Sequence, residues 1–267
     1  MDLKSKDLGN LSYFLHWGID LHKRRIYFGH VLDVSPSEAD ESTDFTPTSV
    51  GIALRAIDKM VDYSNKQPIE IHMSSFGGDS YFMLALIDKL EQIPCKTIFY
   101  GSGAIMSAAT WVMSVCDERY LAENTSVMLH DSGYWTSEGT HTDIDIANAE
   151  DNKRRDDLVQ MFAKNSLMPA EFFNIIIRRD LYLTAQETVE LGLADAVIKK
   201  PARGKFRKGV RNKTVTRAKD TRKMKSLVNR LFKRIKVSAP STLEISMPED
   251  KEEDITLYDN TPDALKE

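Results

Sequence analysis

The sequence predicts an α/β fold organised around a mostly parallel sheet. Short apolar runs of strand length alternate with segments whose apolar residues recur at helical spacing. Strands separated by helices pair in parallel through crossover connections. A Gly77-Gly78 turn lies between one such strand and the helix that follows it. The alternation stops near Ile198, where the composition turns abruptly basic.

Ile26 to Leu32 reads as the first strand, and the Ser-, Pro- and acid-rich stretch from Ser35 to Thr48 as a loop. From Val50 to Tyr63, Ile52, Leu54, Ile57, Met60 and Val61 recur at helical spacing. Residues 69–73 form a strand, the glycine turn follows, and a helix runs from about Tyr81 to Leu90. Lys96 to Tyr100 is a strand, 107–116 a helix, and 119–121 and 126–130 are strands. A long helix, polar on one side, spans about Thr142 to Asn165, and a shorter one begins after Pro169. A third opens at Thr184-Ala185-Gln186-Glu187, a capping box in which Thr184 caps the backbone and Glu187 reaches back. These readings divide the chain into a flexible N-terminal segment (1–14), a globular domain (15–198), a basic segment with an amphipathic helix (199–236) and an acidic, disordered tail (237–267).

With 267 residues, 42% of them hydrophobic, the chain can bury a core of one large domain plus an appendage. Cys95 and Cys116 both fall in apolar runs, which predicts buried free thiols in a reducing compartment rather than a disulfide framework or a metal site. No apolar run is long enough to span a bilayer. Met1 to Asp7 lacks an apolar stretch with a small-residue cleavage site, so no secretory signal is predicted. The expected compartment is the cytosol, either of a cell or of an infected one.

Three residues stand in settings suited to acyl transfer. Ser107 opens the small, apolar run Ser107-Ala108-Ala109-Thr110, His130 ends the strand-like Val127-Met128-Leu129, and Asp180 precedes Leu181-Tyr182-Leu183. A serine hydroxyl needs a base within hydrogen-bond reach, and that base needs a third group to hold its tautomer. At the first turn of a helix, Ser107 would lie beside unpaired N–H groups and a partial positive charge suited to an oxyanion. The N–H of Ala108 is one natural donor and the Gly77-Gly78 turn, through Gly78, a second. Each residue also has a plainer reading. A serine at a helix start is usually a cap, a histidine at a strand end is usually structural, and an aspartate after Arg178-Arg179 is usually a surface ion pair. Their joint order is what singles them out from the other histidines, His16, His22, His30, His72 and His141.

At these residues the sequence resembles the proteolytic subunit of the Clp protease, including its phage-encoded and head-maturation relatives. The resemblance covers roughly residues 15–198. Ser75-Phe76-Gly77-Gly78 matches the family's strand–turn motif, with Phe76 where proline is usual, and Val127-Met128-Leu129-His130 matches the histidine strand. Asp117-Glu118-Arg119-Tyr120-Leu121 is similar to the segment joining the nucleophile helix to that strand. Asp180-Leu181-Tyr182-Leu183-Thr184-Ala185 and Glu190-Leu191-Gly192-Leu193-Ala194-Asp195 match the aspartate motif and the closing turn. The resemblance implies a ClpP/crotonase-like stacked ββα-superhelix with a protruding handle helix at 142–165, preceded by a strand segment at 131–141. It implies a serine endopeptidase with Ser107, His130 and Asp180 as its triad and Gly78 and Ala108 as oxyanion donors, needing neither cofactor nor metal. Its implied partners are a polypeptide substrate lying beside Gly78 and the His130–Gly133 segment, further copies in a homo-oligomeric ring (a heptamer or a double ring), and an ATPase unfoldase or a capsid-assembly partner.

The nucleophile of the family usually sits four residues after a glycine, and two registers compete here. Counting from Gly101 gives Ile105 and a catalytically inactive assembly subunit; counting from Gly103 gives Ser107. The short Asp117-Glu118-Arg119 linker, as in the phage-like members, and the spacing from Gly78 both favour Ser107. A third alternative is a crotonase-type acyl-CoA enzyme, against which the Ser107–His130–Asp180 order argues.

Between 199 and 236 Asp220 is the only acid, and Met224, Leu227, Val228, Leu231, Phe232 and Ile235 recur at helical spacing among lysines and arginines. This basic amphipathic helix suits nucleic acid, a membrane surface or an acidic protein surface, or serves only as a solubilising tail neutralised by Glu249 to Asp254. Truncation near Lys199 is expected to leave the folded core intact.

Overall fold

The computed structural model describes residues 14, 15, 17–29, 45–131, 140–198, 221–237 and 243. Among these residues eight strands form one sheet. Strand β1 (Ile19–Asp20) turns back antiparallel onto β2 (Arg25–Phe28). Strands β3 (Ile69–Ser75), β4 (Thr97–Met106), β5 (Glu118–Ala122) and β8 (Ala196–Ile198) then continue in parallel, in the order β1-β2-β3-β4-β5-β8. Strand β6 (Ser126–Leu129) adds in parallel to the far end of β4, and β7 (Leu181–Thr184) pairs antiparallel with β6.

The two-residue side-chain period of strands sorts this sheet into two faces. Ile69, Ile71 and Met73 of β3 are fully buried in the main core with Phe99 and Leu121. On the other face, Tyr27, His72, Tyr100 and Tyr120 stack ring on ring across β2, β3, β4 and β5, with centroid separations of 4.6, 4.9 and 5.5 Å.

The core face is covered by helices whose starts the sequence specifies chemically. Helix α1 (Pro47–Tyr63) is capped by Thr46, which accepts from the Ser49 N–H while Ser49 returns the bond, and Pro47 occupies the first turn, where a missing N–H costs nothing. Helix α2 (Ser80–Gln92) is capped by Asp79, accepting from the Tyr81 and Phe82 N–H groups. Helix α3 (Ala108–Val115) is buried along nearly its whole length. Helix α4 (His141–Lys164) is the expected handle. None of residues 141–153 is buried, whereas Arg154, Leu158, Val159 and Phe162 are. Arg154 anchors this junction by donating to the Tyr81 hydroxyl at 2.7 Å and lying over its ring. Helix α5 (Ala170–Ile176) comes next, and then α6 (Ala185–Glu190), which opens with the capping box read from the sequence.

Two sequence motifs meet in one ion pair. Arg119 of Asp117-Glu118-Arg119 donates through Nε and Nη2 to the carboxylate of Asp195, at 3.1 and 3.0 Å, and through Nη1 to the Asn165 carbonyl. Both side chains are largely buried, and the paired geometry satisfies charges that would be costly alone. Cys95 and Cys116 are free and buried, as the sequence predicts, and burial pushes the Cys116 thiol up to about 12.

Several boundaries differ from expectation. The expected strand 26–32 ends at Phe28, because Gly29 turns with φ 77°, and residues 30–32 lie outside the described residues. The loop expected to reach Thr48 gives way at Pro47, where Thr46 caps α1. The strand expected at 96–100 continues to Met106. Strands β1 and β8 carry too few residues to show a period, and β7 alternates over only four. The expected segment 131–141 lies mostly outside the described residues, as do residues 199–220 and the acidic tail.

A larger difference concerns the appendage. Helix α7 (Thr221–Arg234) has the expected amphipathic pattern, but its apolar face does not stand apart from the domain. Met224, Leu227, Val228, Leu231, Phe232 and Ile235 are buried in the main core, and Phe232 meets Phe172 of α5 edge to face at 5.9 Å. Arg234 binds Glu187 at 2.7 and 3.2 Å. An apolar helix stripe is stable in water only when covered, and the surface beside α5 and α6 covers it.

This docking has two expected consequences. Phe232→Ala is expected to lower stability by about 3–5 kcal/mol, read as a reduced denaturant midpoint, and truncation at Lys199 to expose the Phe172 face rather than spare the core. Burial raises the Glu187 carboxyl, but hydrogen bonds from Arg234 and Thr184 outweigh it and hold the group below the ordinary glutamate range. A lowered carboxyl pKa stabilises the fold above the unfolded value of about 4.3, and that contribution is lost as pH falls through the folded value. Wild type is therefore expected to unfold at a higher temperature than Glu187→Gln near neutrality, with the gap closing in acid.

Candidate active site

Strand β4 changes neighbours along its length. Ile98 to Gly101 pair with β5, and Ala104 to Met106 pair with β6. Between these halves the register against β3 jumps from Met73↔Gly101 to Ser75↔Ile105. Gly103 takes the extra length at φ 64°, where a Cβ would stand 2.9 Å from the Ser74 hydroxyl. Irregularities of this kind bend a strand and re-aim the residues beyond them.

Ser107 is the residue re-aimed here. It is not in the first turn of the helix, as expected, but one residue before it, between β4 and α3. Its backbone has φ 52° and ψ −127°, a conformation that costs a non-glycine residue about 1–3 kcal/mol. Two bonds fix it there: its N–H donates to the Met128 carbonyl at 3.0 Å, and its carbonyl accepts from Thr110. The hydroxyl makes no capping bond to the helix. It lies instead 2.7 Å from Nε2 of His130. The ordinary reading of a serine at a helix start, a cap, is thus not the one this side chain adopts.

His130 and Asp180 are brought together by the β6–β7 ladder. Leu129 pairs with Leu181, so the next pair in register is His130 with Asp180. Leu129 and Leu181 point into the core, which turns His130 and Asp180 to the open face. His130 Nδ1 lies 3.8 Å from Asp180 Oδ1, and the Asp180 side chain is 62% exposed. That is within Coulombic reach but longer than a hydrogen bond. Beside them, the Asp131 N–H donates to the Ile177 carbonyl and the Asp131 carboxylate faces Arg155 at 3.7 Å, tying the end of the histidine strand to α5 and α4.

The glycine turn closes the other side. Ser75 Oγ accepts from the Gly77 N–H at 3.0 Å, and the Gly77 carbonyl accepts from Phe45. A Cβ on Gly77 would lie 2.6 Å from Ser107 Cβ and 3.1 Å from the Ala108 N, and its φ of 119° suits glycine alone. Sequence reasoning singled out Gly78 and passed over Gly77 as the point of contact. The doubled glycine was the available signal, since one residue makes the close approach and the other turns the chain. Gly78, at φ 138°, forms a parallel bridge with Phe45 that uses the Gly77 carbonyl and the Asp79 N–H, not its own N–H. Ala108 is the first residue of α3, where backbone N–H groups have no intrahelical partner. Ile105, the rival position, is fully buried on β4 between Ser75 and Val127. Among the described residues no cluster of His, Cys, Asp and Glu is grouped to hold a metal ion, and no helix is long and apolar enough to cross a membrane.

A serine, an imidazole and a carboxylate in this order, beside free helix N–H groups, form a constellation for nucleophilic acyl transfer. The comparisons agree in kind. A family model described as Clp protease matches residues 47–201, from α1 through β8. The ATP-dependent Clp protease proteolytic subunit of Streptococcus salivarius is 31% identical over 137 residues, covering 50% of this chain and 70% of that protein. The ATP-dependent Clp protease proteolytic subunit 2 of Streptomyces coelicolor is 29% identical over 132 residues, covering 49% of this chain and 61% of that protein. The ATP-dependent Clp protease proteolytic subunit of Streptococcus thermophilus is 31% identical over 137 residues, covering 50% of this chain and 70% of that protein.

Gly77→Ala tests the contact that sequence reasoning missed. The added methyl must push Ser107 from its strained position, and Ser107 labelling by a fluorophosphonate is expected to slow about 100-fold while the chain stays folded by circular dichroism.

Proposed function

The chain belongs to the Clp protease family, and from that membership we propose that it is a serine endopeptidase that cuts extended polypeptide with Ser107, His130 and Asp180. The observation that carries this reading is the 2.7 Å approach of Ser107 Oγ to His130 Nε2, made by a hydroxyl that no helix cap employs.

In this mechanism the Ser107 oxygen attacks the scissile carbonyl carbon as its proton passes to His130 Nε2. The carbonyl oxygen becomes an oxyanion, and the N–H groups of Ala108 and Gly78 donate to it. Asp180 stabilises the imidazolium; its 3.8 Å separation shortens as the charge forms, a tightening common to catalytic hydrogen bonds. The proton then moves from Nε2 to the departing amine, and the C–N bond breaks. Water, deprotonated by the same imidazole, attacks the acyl-enzyme and releases the new carboxylate and Ser107. Substrate lying as an extra strand beside the glycine turn would be held chiefly by main-chain bonds, which gives low side-chain selectivity.

The chain works, in this reading, in the cytoplasm as a homo-oligomeric ring built through the handle α4. Its polypeptide comes from an ATPase unfoldase or from an assembling capsid, with neither cofactor nor metal. The inactive-subunit alternative, with Ile105 at the nucleophile position, has less support because Ile105 is enclosed by core residues and Ser107 lies against the imidazole. The acyl-CoA alternative has no observation in its favour.

Peptide hydrolysis by wild type and Ser107→Ala, with native mass measured in parallel, decides the matter. Ser107→Ala is expected to lose activity by at least about 10⁴-fold with an unchanged oligomer. Asp180→Ala is expected to lose less, since its carboxylate is exposed and acts at longer range. Undiminished hydrolysis by Ser107→Ala would remove that residue from the mechanism.

A further inference from the structure

The loosest joint of the site is the 3.8 Å gap between His130 and Asp180, and Asp180 stands at the mouth of β7. This strand has four residues and, among the described residues, pairs with β6 alone. Short edge strands of this kind open readily unless something holds their free side.

Helix α7 reaches the segment around Asp180 at three points. Upstream, Phe232 packs on Phe172 of α5. Within β7, Arg234 Nη1 donates to the Tyr182 carbonyl at 2.6 Å. Downstream, the same guanidinium bonds Glu187, whose carboxylate accepts from the Thr184 N–H at the β7–α6 junction. The bond to Tyr182 has a short route to the nucleophile. Tyr182 pairs with Met128 on β6, and the Met128 carbonyl accepts the Ser107 N–H. Both carbonyls point away from their shared ladder, so Arg234 and Ser107 brace the β6–β7 pair from opposite edges. Helix α7 lies outside the span 47–201 that the family model matches.

We propose that Arg234 is a positioning residue for the reaction: it clamps β7 from outside and so sets the distance between Asp180 and His130. The helix that looked like a detachable basic tail is by this account part of the machinery that aligns the triad. Arg234 touches no reacting atom and acts through β7. The inference rests on the peptidase reading above, and its test separates the two.

The test combines amide hydrogen exchange, fluorophosphonate labelling and peptide hydrolysis on full-length wild type, Arg234→Ala, Arg234→Lys and Lys225→Ala. In Arg234→Ala, exchange at the Leu181 and Leu183 amides is expected to quicken at least about tenfold, with β3 and β4 unchanged. Labelling of Ser107 and kcat are expected to fall at least about tenfold, with KM within about twofold of wild type. Arg234→Lys keeps one donor for the Tyr182 carbonyl and is expected to fall between. Lys225 is exposed on the same helix, and Lys225→Ala is expected to behave as wild type. Wild-type exchange and labelling in Arg234→Ala would overturn the clamp. So would a uniform rise in exchange across the sheet, or equal losses in Lys225→Ala. A wild-type chain inert to both fluorophosphonate and peptide would instead sink the peptidase reading, while exchange in β7 would still report whether Arg234 holds the strand.

Discussion

The bond from the Ser107 N–H to the Met128 carbonyl is the constraint on which the site depends. It is the last link of the β4–β6 pairing, and it exists because β4 abandons β5 after Gly101 and takes up β6 from Ala104. Without that change of partner, the end of β4 would have no route to the histidine strand. With it, a serine and an imidazole 23 residues apart in sequence come within hydrogen-bond distance. The same bond holds Ser107 in a backbone conformation it would not adopt unaided, since the surrounding structure must over-determine such a residue.

The two flanks of this centre are built differently. On the glycine side, contact is tight: the Gly77 backbone lies against Ser107 and the Ala108 N–H with no room for a methyl group. On the aspartate side it is slack, with an exposed carboxylate at the end of a short edge strand. Oxyanion donors act through fixed dipoles and benefit from rigidity, whereas the orienting carboxylate tolerates some play until the imidazolium forms. The contacts of α7 fall on the slack flank, where the proposed brace would have most effect.

Much of the architecture was legible because it is written in local chemistry. The glycine pair, the Thr184–Glu187 box, the apolar period of 50–63 and the small-residue run after Ser107 each specify a turn, a cap or a helix through near neighbours. The Ser107–His130–Asp180 order was visible too, and with it which residues to look for. What was hidden depends on partners distant in sequence. The kink at Gly103, the extension of β4 to Met106 and the pairing of β6 with β7 arise from sheet register, which no run of ten residues encodes. Strand β8 is too short to show alternation, and β7, although its four residues alternate buried and exposed, is too short to be told from a loop without its partner. The docking of α7 was misjudged for a similar reason. Its apolar stripe was seen, but the surface waiting for it, Phe172 and Glu187, lies about 50 residues away on two other helices.

The helix after Ser107 makes no use of the serine hydroxyl, and the backbone at that residue is one that glycine would occupy without strain. The helix cap therefore has no stake in the side chain that the proposed chemistry needs. On backbone strain alone, glycine at position 107 would relieve the strained conformation while removing the proposed nucleophile. A relative released from the proposed chemistry would be free to drift that way.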